Sequence, residues 1–541
     1  MRILLLSHSF NSLTQRLWVE LSARGHWVAV EFDVNDSVTT EAVELAKPDL
    51  IVAPFLKRAI PEQVWQNHVC LVVHPGPVGD RGPSALDWAI LEGEQNWGVT
   101  VLQAVSDMDA GPVWAHRTFP MRAATKSSIY RNEVTEAAVE AVLEAVESRP
   151  APFLPQRSWW KPVMRQTERA IDWAKDDTRT VLRKLRSADG TPGVLDGAVF
   201  LHDGHDAPGL SGQPGAWIAR QGDRLARATT DGAVWIGQIR PNQPGGLKLP
   251  AARVLPDVVG TLPDSPGHHD IWYDEKGGVG FLHFPFHNGA FSTDQCRRLE
   301  AAFRDAASRP TKVIALMGGP DFWSNGIHLS TIEAAESPAD ESWANINAMN
   351  DLTKAVIECT SHLTVAAMHG NAGAGGVFMA LAADIVWART GVVLNPHYKG
   401  MGNLFGSEYW TYLLPRRCGE QAARAVTQAR LPVGTGEAMK LGLVDDAFAL
   451  TPAQFRADVE ARAQALAADP QLEDRLAAKR LSRLADEAEK PLQQYRTEEL
   501  EHMKLNFYGF DPSYHVARYN FIRKVPKSRT PLYLARHRAK G

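Results

Sequence analysis

Residues 70–113 read CLVVHPGPVGDRGPSALDWAILEGEQNWGVTVLQAVSDMDAGPV. The stretch opens with a short apolar run that ends at His74, passes through a loop rich in glycine and proline at 75–83, and then becomes helical. A second apolar strand at 99–104 follows, and Asp109 comes after it. Alternating strands and helices predict a mostly parallel sheet, whose ligand crevice lies at the carboxyl ends of the strands. His74 and Asp109 on neighbouring strand ends could therefore act as an oriented acid–base pair. On spacing alone, a hydrogen-bonded loop histidine and a turn-forming aspartate remain the alternative.

The residues before this stretch repeat the alternation of strand and helix. Apolar runs at 2–6, 26–34 and 49–52 predict strands, and periodic apolar positions predict helices over 13–23 and 127–147. This order is typical of an α/β domain with an open, mostly parallel sheet covered by helices. The turn after the first strand, SHSFNSLTQ, lacks the GxGxxG pattern, which argues against a nicotinamide-binding unit.

A change of composition marks the next part of the chain. Residues 150–162 are rich in proline and tryptophan, as a domain boundary would be, and 167–186 predict a capped helix. Short β-like pieces with glycine and aspartate turns then predict a small β-barrel-like domain. The HDGHD run at 202–206 could bind a metal ion, but its position predicts a polar hairpin turn, so we expect no metal site.

A second α/β pattern begins near residue 270, and two of its segments belong together. They are MGGPDFWSNGIHLS at 317–330 and HGNAGAGGVFMALAADI at 369–385. Each joins a buried strand to a helix through small residues, and such turns can direct free N–H groups at a carbonyl oxygen. Either turn alone is also consistent with glycine serving only backbone geometry. The pair together predicts an oxyanion-binding site.

Composition narrows the class of protein. The chain has 541 residues, a formal net charge of -4 and 4 cysteines, none of them in a CxxC pair. Near charge balance argues against a protein built to coat nucleic acid or anionic membrane, and we find no run of ~18 apolar residues. The apolar run at 3–6 is too short for a signal peptide. We therefore expect a cytoplasmic, multidomain α/β protein without disulfides. The predicted divisions are an α/β domain at 1–150, a small β domain at 151–245, a linker at 246–269 and a second α/β domain at 270–541.

The N-terminal motifs resemble those of the 10-formyltetrahydrofolate-dependent formyltransferases. The family pattern contains a histidine, a Pro/Gly loop, a Gly-Val-Thr strand and an Asp-x-Gly turn, which match His74, 98–100 and 109–111. Residues 50–65, LIVAPFLKRAIPEQVW, resemble the strand and loop on the pterin side of that family's site. The likeness covers about residues 1–240.

This resemblance implies roles for several residues. His74 and Asp109 would be catalytic, and Phe55, Leu56 and Asp107 would contact the folate. One position departs from the family, because Val72 stands where the family has an asparagine that helps hold the developing oxyanion. The departure argues against ordinary amine formylation. A thiol acceptor would suit a weakened site better, since its reference pKa is ~8.5 against ~10.4 for a lysine-type amine.

The C-terminal segments resemble the crotonase, or enoyl-CoA hydratase/isomerase, superfamily, which has a ββα spiral fold. By motif, the oxyanion N–H donors would belong to Ile327 and Gly375, and Gly326 and Gly376 would help to bind the ligand. The resemblance covers about residue 270 to the end of the sequence. It implies a coenzyme A thioester as the ligand.

The carboxylates that a hydratase needs are not at their expected positions. One position is Phe378 and the other, after Asn395-Pro396, is His397, so we expect chemistry other than hydration. The following segment is rich in titratable side chains. His397, Tyr398 and Glu408 are the candidate proton-transfer residues there, although amphipathic core packing is an equal alternative for the tyrosine.

The combination of the two halves resembles one family, the HypX/HoxX hydrogenase maturation factors. The resemblance implies that a formyl group passes from 10-formyltetrahydrofolate to coenzyme A, and that a lyase step splits formyl-CoA into carbon monoxide and CoA. It implies no metal, and hydrogenase maturation proteins would receive the carbon monoxide. Because CoA serves both steps, we expect one bound CoA whose pantetheine arm passes between the domains through an internal tunnel.

Three alternatives stay open on the sequence alone. The chain could formylate an amine acceptor and separately hydrolyse or isomerise an acyl-CoA. The crotonase half could act as a thioesterase that releases formate from formyl-CoA. The protein could also be a non-catalytic assembly factor for hydrogenase.

Overall fold

A computed structural model describes residues 1–539; Lys540 and Gly541, the end of the predicted C-terminal domain, lie outside the described residues. The described chain forms two compact units, one of 1–268 together with 527–539 and the other of His269–Pro526. The last residues, 527–539, thus belong with the first unit. The domain bounds given above stay predictions.

The first unit is built on a sheet of order β2-β1-β3-β4-β6-β7. Its first four strands are parallel and almost fully buried, which explains their continuous apolar sequences. The open, mostly parallel sheet is therefore confirmed. Strands β6 and β7 are antiparallel to their neighbours. The strands are β1 (Arg2–Ser7), β2 (Trp27–Phe32), β3 (Leu50–Phe55), β4 (Cys70–His74), β5 (Asp80–Arg81), β6 (Asn96–Gln103), β7 (Val113–Pro120) and β8 (Trp159–Trp160), of which β5 pairs with β8.

Two helices of the first unit begin at asparagine caps. The side chains of Asn11 and Asn35 accept hydrogen bonds from the first turns of their helices. The long helix predicted over 127–147 is interrupted by a π-helical turn, Tyr130–Val134. The α-helices are α1 (Ser12–Ala23), α2 (Asp36–Ala46), α3 (Glu62–Asn67), α4 (Ala85–Glu92), α5 (Lys126–Ile129), α6 (Thr135–Glu147), α7 (Thr178–Ser187), α8 (Ala251–Val254) and α9 (Pro256–Val259).

The predicted small β region is an antiparallel sheet of order β11-β12-β13-β10-β9, with β14 paired to β13. No pairing within residues 1–539 closes it into a barrel. The helix before it starts only at Thr178, because Asp177 caps its first turn. The HDGHD run lies in a strand rather than in a turn, and no group of three metal-ligating side chains forms in the described chain. The strands are β9 (Val194–Asp196), β10 (Val199–Asp206), β11 (Trp217–Gln221), β12 (Arg224–Ala228), β13 (Ala233–Pro241) and β14 (Leu249–Pro250).

The second unit is a spiral of ββα turns, as predicted. Successive turns place one strand in a large sheet, β15-β16-β17-β19-β21-β24, and the next in a small sheet, β18-β20-β22-β23. The strands are β15 (Trp272–Lys276), β16 (Val279–Phe284), β17 (Val313–Gly318), β18 (Phe322–Ser324), β19 (Leu363–Met368), β20 (Asn371–Gly373), β21 (Ile385–Arg389), β22 (Val393–Asn395), β23 (Val433–Gly434) and β24 (Asp446–Phe448).

Helices cover this spiral. Pro491 separates two of the C-terminal helices, because proline cannot continue a helix. No helix within residues 1–539 is both long and apolar enough to cross a bilayer. The helices are α10 (Thr293–Ala306), α11 (Leu329–Glu333), α12 (Pro338–Glu358), α13 (Gly375–Leu381), α14 (Trp410–Ala429), α15 (Thr435–Lys440), α16 (Pro452–Ala467), α17 (Leu472–Glu489), α18 (Leu492–Tyr508) and α19 (Ser513–Ile522).

Candidate active sites

His74 is the last residue of β4 and is buried between two carboxylates. Its Nε2 lies 2.8 Å from Oδ2 of Asp80, and its Nδ1 lies 3.4 Å from Oδ2 of Asp109. The structure therefore brings the two sequence-predicted residues together and adds a third. An imidazole flanked in this way has its ring orientation fixed and can hold or pass a proton.

Asp109 reaches His74 by a route different from the expected one. Because β6 runs antiparallel to β4, its carboxyl end lies at the opposite edge, where Gln103 pairs with Leu71. The loop after β6 returns towards His74 and turns at Asp109, whose φ is 53°. The backbone N–H of Gly82 donates to Oδ2 of Asp109 over 3.1 Å. The loop, rather than a shared strand edge, positions this carboxylate.

Asp80 is the residue that the sequence analysis missed. It is 2 % exposed, lies in β5 and accepts a 3.0 Å hydrogen bond from Nε1 of Trp159 at Oδ1. A Cβ at Gly76 would lie 2.3 Å from Asp80 Oδ2 and 2.4 Å from His74 Nε2. Gly76 therefore has to be glycine for the two side chains to meet. The local sequence carries no signal for this, since Trp159 is distant along the chain.

Val72 occupies the position of the missing asparagine in the middle of β4. It packs against an apolar cluster that includes Ile51 and Cys70. A valine side chain has no hydrogen-bond donor, so in this site His74 and backbone N–H groups are the donors left for a developing oxyanion.

The residues predicted to bind folate lie on two segments of the chain, the end of β3 and the loop after β6. Phe55 ends β3, and its ring packs edge-on against His8 at 6.0 Å and Tyr130 at 6.5 Å. Leu56 packs against the same apolar cluster as Val72. Asp107 is exposed on the loop that carries Asp109. Their roles in binding stay predictions.

The two glycine-rich turns of the second unit adjoin each other. Gly326 has a φ of +78°, and a Cβ added there would lie 3.5 Å from the backbone nitrogen of Gly375. Ile327 follows directly and bridges to Phe291. The N–H groups predicted to bind an oxyanion therefore belong to neighbouring turns.

Gly376 serves the packing of these turns. A Cβ there would lie 2.2 Å from the carbonyl oxygen of Ser324. Its own carbonyl accepts a buried 2.8 Å hydrogen bond from Nε1 of Trp323. Ala374, with a φ of +48°, turns the chain into α13 just before it. The glycines at this point are thus required by close backbone approach as well as by any ligand.

Glu408 lies against these turns as part of a buried pair. Its side chain is so close to Gly375 that a Cβ there would lie 2.2 Å from Oε1. The Tyr398 hydroxyl lies 2.5 Å from its Oε2 and 2.8 Å from the Ser407 carbonyl oxygen. Burial raises the pKa of Glu408 to about 8, against a smaller lowering by the Tyr398 hydrogen bond. A carboxyl with this pKa can exchange a proton near neutral pH.

Phe378 fills the place where a hydratase has a carboxylate. It is fully buried, and its ring stacks on Tyr398 with centroids 5.3 Å apart and planes 18° from parallel. This contact fixes the plane of the Tyr398 ring. Glu408, from a different segment of the chain, is therefore the predicted residue that brings a titratable side chain to this wall.

His397 does not join this pair. Burial and the charge of Arg430 lower the pKa of the His397 imidazole to about 4, so the ring is neutral at physiological pH. Its Nδ1 has no hydrogen-bond partner among the described residues. The structure thus separates His397 from Tyr398 and Glu408, with which it shares only the chain segment.

A cavity of about 310 Å³ borders Tyr398 in the second unit. Its wall includes Trp410 and the stacked rings of Phe405 and His502, whose centroids are 4.1 Å apart. This arrangement leaves a mainly apolar space beside the Tyr398 ring.

Comparison with known protein families agrees with this architecture. The formyl transferase family matches residues 29–146, and the enoyl-CoA hydratase/isomerase family matches residues 278–508. The chain is 59% identical over 552 residues to hydrogenase maturation factor HoxX of Bradyrhizobium diazoefficiens, covering 99% of this chain and 97% of the relative. Methionyl-tRNA formyltransferase of Granulibacter bethesdensis is 27% identical over 189 residues, which is 34% of this chain and 60% of the relative.

A solved structure also matches along the whole length. The crystal structure of HypX from Aquifex aeolicus in complex with tetrahydrofolic acid has a TM-score of 0.98 and 49% identity. It covers 100% of this chain and 99% of that one.

Proposed function

The chain belongs to the HypX/HoxX family of hydrogenase maturation factors, with a formyltransferase domain and an enoyl-CoA hydratase-like domain, and we propose that it makes carbon monoxide in two steps. The first step moves a formyl group from 10-formyltetrahydrofolate to the thiol of coenzyme A. The second step splits formyl-CoA into carbon monoxide and CoA. Folate and CoA are substrates in this scheme, and hydrogenase maturation proteins receive the product.

In the first step, His74 acts at the formyl carbon. The CoA thiolate forms the new C–S bond, the C–N bond to the folate breaks, and a proton passes to the leaving folate nitrogen. His74 stabilises the oxyanion, and Asp109 orients the imidazole or carries the proton. Asp80 holds Nε2 at 2.8 Å, which leaves the N–H at Nδ1, 3.4 Å from Asp109, to reach the oxyanion. The Val72 substitution supports a thiol rather than an amine acceptor, because a thiol needs less help to ionise.

In the second step, the N–H groups of Ile327 and Gly375 polarise the thioester carbonyl. Ionised Glu408 removes the formyl proton, the C–S bond breaks, carbon monoxide leaves and the CoA sulfur takes up the proton. Tyr398 holds the Glu408 carboxyl by its hydroxyl. Formyl-CoA supplies every atom of the products, so the reaction requires no oxidant, reductant or water.

One observation carries this proposal: a buried Glu408 faces the Gly375 turn, while Phe378 stands at a predicted hydratase carboxylate position. A hydratase needs carboxylates to activate water, whereas thioester cleavage to carbon monoxide needs a base and exclusion of water. Burial of Glu408 also disfavours the thioesterase alternative, which requires an attacking water beside that carboxyl.

The test supplies formyl-CoA alone to the purified protein. We expect carbon monoxide, detected by deoxyhaemoglobin, with wild-type protein and with H74A, and none above background with E408Q. Formate without carbon monoxide would establish a thioesterase instead. Absence of any turnover, together with formylation of amine acceptors by the first unit, would favour the amine-formylating alternative.

A further inference from the structure

Glu499 is a buried carboxylate that the two-step scheme does not use. It lies on α18 and is 1 % exposed. It accepts hydrogen bonds from the Ser407 hydroxyl at 3.2 Å, from the Tyr409 N–H at 3.0 Å, and from the N–H and hydroxyl of Thr411 at 2.9 and 2.6 Å. All four donors belong to the segment 407–411. The Glu499 carboxylate thus accepts hydrogen bonds from residues on both sides of Glu408 in the chain.

The segment 407–411 needs such support because its backbone is strained. Glu408 and Tyr409 have φ values of 59° and 58°, a left-handed conformation that residues with a Cβ rarely adopt. Two such residues in succession persist only where the surroundings determine them. Asn350 helps, since its side-chain oxygen accepts the Glu408 N–H at 2.7 Å. Glu499 contributes the remaining side-chain acceptor of this turn.

The Glu408 carboxyl has little room to move. It lies between the Tyr398 hydroxyl and Gly375, where even one additional carbon atom does not fit. A relaxed backbone at 408 and 409 would move the carboxyl away from the oxyanion-binding turns. Proton transfer depends steeply on such distances.

The charge of Glu499 also acts on Glu408. Burial raises the pKa of Glu408 most, and the Glu499 carboxylate raises it further, whereas hydrogen bonds from Tyr398 and at Ser407 lower it. The buried thiol of Cys296 also interacts with the charge of Glu408. The ion pair of Arg496 with Asp351 lies beside Tyr409 on the other side of the segment.

We propose that Glu499 is a positioning residue for the second step: it clamps the strained segment 407–411 so that Glu408 faces Gly375, and its negative charge opposes ionisation of Glu408. This inference rests on the proposed function. It assigns two separable roles, a clamp made by hydrogen bonds and a charge that makes Glu408 a stronger base.

The kinetic test compares E499Q with E498Q, an exposed control one residue away that pairs with Lys490. With formyl-CoA as substrate, we expect E499Q to lower kcat on the order of tenfold with KM unchanged. We expect the ascending limb of its pH profile to move to lower pH by about one unit, because loss of a nearby negative charge favours ionised Glu408. E498Q should match wild type in both. Equal pH profiles for E499Q and wild type would overturn the proposal.

A second measurement does not depend on turnover. The infrared band of a protonated carboxyl that is present in wild type and absent in E408Q belongs to Glu408. The pH dependence of this band is measured in wild type, E499Q and E498Q. The midpoint should fall in E499Q and stay in E498Q. If wild type makes no carbon monoxide yet the midpoint shifts as expected, the proposed function fails while the coupling of the two carboxyls stands. An unchanged midpoint in folded E499Q overturns the charge role of Glu499, and an unchanged kcat overturns its role as a clamp.

Discussion

The Glu408 carboxyl occupies the space in which any side chain at position 375 would have to stand. A Cβ built on Gly375 would lie 2.2 Å from Glu408 Oε1, closer than two such atoms can approach. The proposed oxyanion donor and the proposed base are therefore neighbours in direct contact. A substrate carbonyl bound to the Gly375 N–H would meet Glu408 at the same point.

Substitution of Gly375 tests this contact. G375A should lower carbon monoxide formation from formyl-CoA by about 10²–10³-fold, because the new methyl group displaces Glu408 and disturbs an oxyanion donor. The matched control is G436A, since Gly436 has open space around its Cβ position. Initial rates from formyl-CoA measure both variants. Wild-type activity in G375A would contradict the assignment of this site.

The Tyr398 hydroxyl is expected to set the pH range of the proposed second step. Burial raises the pKa of Glu408 to about 8, and the hydrogen bond from Tyr398 lowers it from a still higher value. Y398F removes that hydrogen bond, so the pKa of Glu408 should rise. If ionised Glu408 is the base, the ascending limb of the pH–rate profile moves to higher pH in Y398F. A limb that stays in place would show that Tyr398 does not act through Glu408.

Asp80 is expected to matter only for the first step. D80N removes the charge that orients His74, and we expect formyl transfer to CoA to fall by about 10²-fold. D257N, at an exposed aspartate in the same unit, is the control. Release of tetrahydrofolate measures the first step, and carbon monoxide from added formyl-CoA measures the second. D80N should leave the second rate unchanged, and equal loss of both rates would indicate general unfolding.

Glu31 makes the attachment of residues 527–539 dependent on pH. It is fully buried in β2 and accepts hydrogen bonds from the Thr530 hydroxyl, from His537 at 2.8 Å and from Arg538 at 2.7 Å. Burial raises the pKa of Glu31, but these hydrogen bonds outweigh it and lower the pKa below its usual value of 4.5.

A carboxylate with a lowered folded-state pKa stabilises the fold above its unfolded pKa, and that contribution disappears as the pH falls. E31Q should therefore lower the free energy of unfolding of the first unit by about 3 kcal/mol at pH 7. The stability of E31Q should also fall less steeply in acid than that of the wild type. E41Q, which changes an exposed partner of Arg538, is the control. Urea unfolding at several pH values measures both. Equal acid sensitivity in E31Q and wild type would exclude Glu31 as its source.

Local sequence predicted those parts of the site that local backbone geometry requires. The turn at Gly326 depends on a positive φ and the turn at Gly375 on close approach of neighbouring atoms, and both favour glycine, so the sequence shows them directly. His74 follows a buried apolar strand, and strand ends carry functional side chains in α/β sheets. These signals need no knowledge of the rest of the chain.

The remaining residues depend on contacts between distant segments. Asp80 is fixed by Trp159, and Glu499 binds 407–411 from a helix far along the chain. In the sequence, Glu31 is a charged residue within a strand and has no evident partner. The structure shows that residues 527–539 supply its partners. Alternation of apolar residues cannot indicate such pairings, because it reports burial and not the identity of the neighbour.

The most direct test uses 10-formyltetrahydrofolate labelled with ¹³C in the formyl group, together with CoA and the purified protein. The account predicts ¹³C-labelled carbon monoxide and tetrahydrofolate in equal amounts, with both products absent when CoA is omitted. Labelled formate in place of carbon monoxide, or tetrahydrofolate release that does not depend on CoA, would contradict it.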